Sequence, residues 1–143
     1  METKTLTLEQ FIKQIERKII STAHKKAISR SYGVEFVDIL NISHCEGMVN
    51  TLCLHLDEIS KIILVCAVHT NGWPFDDPLF DNLAKHQQSI AEHITKAEIA
   101  IGEEVIPENR LVIEELQGHK QALLFLQDGL QQVLDGFDEE IPA

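Results

Sequence analysis

Imidazoles and thiols are the side chains best suited to chemistry in this chain, because both can hold metals and move protons near neutral pH. The chain has seven histidines and three cysteines in 143 residues. Residues 43–72, SHCEGMVNTLCLHLDEISKIILVCAVHTNG, hold His44, His55 and His69 together with Cys45, Cys53 and Cys66. On a helix the three histidines fall on nearly one side, since their spacings are close to whole turns. They are also far apart along the axis, about 16 Å from His44 to His55 and about 21 Å from His55 to His69. A metal ion takes ligand atoms only about 2 Å away, so no two of them can share an ion from one helix. The cysteines project in three directions and are expected as small buried hydrophobes. An odd count with no Cys-x-x-Cys pair points away from a disulfide framework and toward a reducing compartment.

A site therefore needs contributions from different helices. Carboxylate-bridged dimetal bundles use Glu-x-x-His pairs facing inward. The nearest arrangements are His55-x-x-Glu58, with the order reversed, and Glu115-x-x-x-His119, with one residue too many. His119 is the foremost single candidate, because it occupies a core position where an apolar residue is expected, and Glu115 one turn back can orient it. His86 and His93 stand about 10 Å apart along their helix, too far to share an ion, yet either can meet His55 or His119 from a neighbour.

Other chemistries find less. No Gly-rich nucleotide fingerprint, phosphate loop or Gly-x-Ser-x-Gly nucleophile motif occurs. The chain offers Glu35-x-x-Asp38 but lacks the Glu-x-x-Glu partner with which helical nucleotide pyrophosphatases hold magnesium. Arg17 and His24 share a helical face with Lys13 and Ser21, a pairing that some helical ribonucleases use to hold phosphate and move a proton. The bland alternative is a solvated basic face.

Charge separates the chain into two parts. The net charge is −11, yet residues 1–32 are basic, through Lys4, Lys13, Arg17, Lys18, Lys25, Lys26 and Arg30. Nucleic acid is therefore excluded except along the first helix. The acids Glu98, Glu103, Glu104, Glu108, Glu114 and Glu115 gather around one turn. They suit the dipole of a following helix, or a surface that docks a basic protein.

The elements that position these residues are helical. Thr7-x-x-Gln10 forms a capping box, with Leu6 and Phe11 placed as a hydrophobic staple. Leu8, Phe11, Ile12, Ile15, Ile19, Ala23 and Ala27 then recur at helical spacing toward Gly33. Val34–Ile42 reads as a strand, a short helix or a helical lead-in. Ser43-x-x-Glu46 looks like a second capping box, and Asn71, Gly72 and Pro74 look like a stop. Between them one long helix is favoured over a hairpin, since Asp57–Lys61 carries no turn residue. Met48, Leu52, Ile59, Ile63 and Cys66 form its stripe. Ile62–Val68 is apolar on every side, which places it at the centre of the fold or against a second copy in a homodimer.

A third helix is expected from Asp77 and Pro78, buried through Leu79, Leu83, Ile90, Ile94, Ala97 and Ile101. A fourth begins at Pro107, with Val112, Leu116, His119, Leu123, Leu126, Leu130, Val133 and Phe137 inward. Gly136 should end it, leaving 137–143 as a frayed acidic tail.

The expected architecture is thus all-α, a single domain over 1–143 with four main helices in an up-and-down antiparallel bundle. The expected function is a small acidic cytoplasmic module, an adaptor, inhibitor, antitoxin or immunity-type regulator. It docks a basic protein partner, with no cofactor favoured and the question of enzymatic activity left open. No membrane segment is expected. One alternative is a metal- or haem-binding bundle using His55, Glu58, His86, His93, Glu115 and His119. A further one is a metal-independent ribonuclease using Arg17 and His24.

Overall fold

The computed structural model describes residues 5–32, 36–69, 77–103 and 110–140. Four helices pack together: α1 Leu8–Tyr32, α2 Phe36–His69, α3 Asp77–Glu103 and α4 Arg110–Glu140. No strand occurs among the described residues. The expected boundary signals at Gly33, Asn71, Gly72, Pro74 and Pro107 lie outside them, as do Glu104 and Glu108 of the acidic set.

The start of α1 follows its sequence. Thr7 N–H donates to Gln10 Oε1 at 3.0 Å and Gln10 N–H to Thr7 Oγ1 at 3.1 Å, a reciprocal cap on the helix's free amides. Leu8, Phe11 and Ile15 are buried, but Ala23 and Ala27 are exposed and Thr22 takes the inward position instead. The stripe drifts there because α1 turns its polar side to α2, with Lys26 Nζ 3.3 Å from Glu46 Oε1. A basic first helix leaning on an acidic neighbour explains part of its charge.

The second capping box does not form. Ser43 lies inside α2, which runs unbroken from Phe36 and absorbs residues 36–42 into the same rod. Continuing the helix buries Leu40, which a break at Ser43 would forfeit. The hairpin alternative over 51–69 is likewise replaced by helix. Within the all-round apolar stretch Cys66 is buried, whereas Leu64 and Val65 are exposed.

At the far end Gly136 does not stop α4, which continues to Glu140. Phe137 is half-buried and meets Phe80 of α3 edge-on, with ring centroids 5.7 Å apart. A Cβ at Gly136 would make only ordinary contact, 3.4 Å from the Leu6 carbonyl oxygen, so glycine is not required there by packing. Val112, expected inward, is exposed.

Sequential neighbours are antiparallel. Gln87 pairs with Gln131 and Glu98 with Lys120 across α3 and α4. The most extensive contact is nevertheless α2 against α4, and α1 and α3 flank that pair without packing on one another. Glycine permits the approach. A Cβ at Gly47 would strike the Glu115 carbonyl oxygen, and one at Gly118 would strike the His44 carbonyl oxygen. The backbones touch where side chains would normally hold helices 8–10 Å apart. No helix among the described residues is long and apolar enough to cross a membrane.

Candidate metal centre

The core of the bundle carries three histidines in the same local setting. Leu52-x-x-His55-x-x-x-Ile59 on α2, Leu83-x-x-His86-x-x-x-Ile90 on α3 and Leu116-x-x-His119-x-x-x-Leu123 on α4 each place an imidazole one helical turn from apolar anchors. The flanking Leu52, Ile59, Leu83, Ile90 and Leu123 are fully buried. Such a position borders the buried stripe, and tertiary packing decides its burial, since His93 between Ile90 and Ala97 is exposed. His55 retains 4% and His86 8% of its exposure.

Antiparallel packing of α2 and α3 sets these two rings against each other. His55 Nδ1 lies 3.0 Å from His86 Nε2, and the ring centroids are 5.0 Å apart. Glu58, one turn beyond His55 on the same helix, brings Oε2 to 3.8 Å from His55 Nδ1 and 3.6 Å from His86 Nδ1. One tautomer assignment suits all three groups: His55 Nδ1–H donates to His86 Nε2, and His86 Nδ1–H faces the carboxylate. One ligand atom from each residue falls within 4.8 Å of the others. Ligands bound at about 2.0–2.1 Å in a tetrahedron stand about 3.4 Å apart, so two imidazoles and a carboxylate are already near the spacing an ion requires.

Two further histidines border the group, each with one nitrogen committed. His93 Nδ1–H donates to the Ser89 carbonyl at 2.6 Å, and its ring lies edge-on to His55 with centroids 6.4 Å apart. His119 Nδ1 sits 2.5 Å from Thr51 Oγ1, whose own hydroxyl donates to the Gly47 carbonyl at 2.7 Å. The hydroxyl proton being used, His119 Nδ1–H must be the donor, which leaves Nε2 with its lone pair. The glycine crossing of α2 and α4 therefore also fixes a histidine tautomer.

Electrostatics keep the buried imidazoles neutral. Burial, reinforced by the charges of His86, His93 and His119, pushes His55 down to about 4. Burial also lowers His86, against the opposing pull of Glu58, and lowers His119 with help from His93. Neutral imidazoles are the form that binds metals.

The remaining candidates are dispersed. His44 donates from Nε2 to Gln121 Oε1 at 2.8 Å and faces Glu114 at 3.4 Å. Glu98 is 3.5 Å from Lys120, while Glu103 and Glu115 stand exposed. Glu115 does not orient His119; Thr51 does. The two share the lining of a cleft of about 340 Å³ with Asn50, Val112 and Leu116. Arg17 and His24 are exposed on α1 and line none of the clefts described. Cys45 and Cys66 are buried as expected, but Cys53 is exposed.

His55, Glu58 and His86 all belong to the metal set that the sequence offers as an alternative, whereas the pairing of His55 with His86 follows from the packing of α2 on α3. The apolar-x-x-His-x-x-x-apolar pattern recurs in three helices, but it also fits Ile90-x-x-His93-x-x-x-Ala97, whose imidazole is exposed. No family model, curated protein or solved structure matches this chain.

Proposed function

We propose that the protein binds a divalent first-row transition-metal ion, of the zinc class, through His55, Glu58 and His86. The observation that carries this reading is the convergence of two buried, neutral imidazoles and one carboxylate from α2 and α3 within 4.8 Å. Two nitrogens and one oxygen form a borderline donor set, suited to Zn²⁺ and its neighbours rather than to Ca²⁺ or Mg²⁺, which prefer all-oxygen shells. The spacing suits a bare ion, because a haem would need its macrocycle between the imidazoles, and here they touch. The acidic docking surface has less in its favour, since Glu98 and Glu114 already meet Lys120 and His44.

Thermal unfolding tests the reading. An ion that binds only the folded chain stabilises it by about 2.7 kcal/mol at a hundredfold excess over Kd. A melting temperature that rises with Zn²⁺ and returns with chelator is the expected result. An unchanged midpoint across Zn²⁺ concentrations would refute it.

A further inference from the structure

We infer that the solvent-facing side of α2 is an interface between two copies of this chain, which meet as an antiparallel helix pair centred on residue 59. The inference stands apart from the metal-binding reading. Leu54, Leu64 and Val65 keep 56%, 64% and 53% of their exposure. Single exposed apolar residues are ordinary on a folded chain, whereas contiguous ones mark contact surfaces. On a helix these three share an arc of about 100° with Asp57 and Lys61, over about 17 Å of axis. The arc faces away from Leu52 and Ile59, which are fully buried.

The order of the side chains selects a second copy as the occupant. Leu54, Asp57, Lys61 and Leu64 follow the alternating three- and four-residue steps of a coiled-coil seam. They are also symmetric about residue 59, with Leu54 and Leu64 five positions to either side and Asp57 and Lys61 two. A two-fold antiparallel pair therefore sets Leu54 against Leu64 of its partner and Asp57 against Lys61 of its partner, each contact occurring twice. Val65 falls beside the partner's Leu54 at the edge of the seam. Within one chain Lys61 Nζ already meets Asp57 Oδ2 at 3.0 Å, with both side chains more than half exposed. Pairing interleaves two such bridges into a neutral square of four charges. A parallel pair instead opposes Asp57 to Asp57 and Lys61 to Lys61, and a shift by one heptad sets leucine against charge. The seam thus rejects both wrong arrangements. Its contact of about three turns is small beside the roughly 1,200–2,000 Å² of a stable complex, so a reversible micromolar dimer is expected.

Sedimentation equilibrium of the full chain tests this, in chelator so that no ion bridges the copies. The wild type should pass from one chain to two as its concentration rises through the micromolar range. Asp57→Lys and Lys61→Asp each fill the centre of the seam with one sign of charge and should weaken self-association by roughly 100-fold or more. Mixed in equal amounts, the two variants restore opposite pairs and should dimerise about as well as the wild type. Both positions are exposed, so each variant should keep the wild-type fold by circular dichroism. A wild type that stays a single chain leaves this face to another partner and overturns the proposal. So does a dimer that either variant leaves intact, or a mixture that fails to re-form it.

Discussion

His55 Nδ1 and His86 Nε2 lie 3.0 Å apart in the interior of the bundle, each the hydrogen-bond partner that makes the other's burial tolerable. Removing one member leaves a buried polar nitrogen without its partner, at a cost of about 1–3 kcal/mol. Removing both takes the two buried polar rings away together and leaves Glu58 half-exposed to solvent. His55→Leu alone should therefore destabilise the metal-free protein by roughly that amount, and adding His86→Leu should recover most of it. Urea denaturation of the two single variants and the double variant measures the coupling. Simple additivity of the two losses would show that the pair does not interact.

Acid should weaken the same region. His55 ionises at about 4 in the folded chain against 6.5 in the unfolded one. Above pH 6.5 neither state holds the proton, and stability is unaffected. As the pH falls from 6.5 toward 4, the unfolded chain takes up a proton that the native one refuses, so stability declines. His55 alone accounts for about 3 kcal/mol across that window, and His86 and His119 act in the same direction. Denaturation of the metal-free protein at several pH values should show this slope, and the double leucine variant should show a shallower one. Equal slopes would mean that the histidines are not held neutral.

The sequence made the rods legible more readily than their register. Leu79, Leu83, Ile90, Ile94 and Ala97 are buried as their spacing requires, as are Leu123, Leu126, Leu130 and Val133. Ser43 and Gly136 misled because capping residues are also tolerated inside helices when tertiary contacts reward continuation. Leu40 rewards it at one place and the Phe80–Phe137 contact at the other. The site was harder to see. That His55 faces His86 depends on how α2 and α3 slide against each other, which no single-helix periodicity encodes.

The α2–α4 crossing offers a sharper test of packing. Gly118→Ala gains up to about 1 kcal/mol of helix propensity. Its methyl must nevertheless displace the His44 carbonyl, which is backbone and cannot rotate aside. Overpacking costs about 1–3 kcal/mol, so a net loss of stability is expected. The Thr51–His119 hydrogen bond should loosen as the helices part, visible as a change in the His119 ring resonances by NMR. An alanine variant as stable as the wild type, with those resonances unmoved, would show that the backbones are not in contact there.

Calorimetric titration of the metal-free chain with Zn²⁺, beside His86→Ala, addresses the central claim most directly. One ion should bind per wild-type chain, and the variant should lose affinity by roughly 100-fold or more. Equal binding by the two proteins, or none by the wild type, would contradict a centre built on His55, Glu58 and His86.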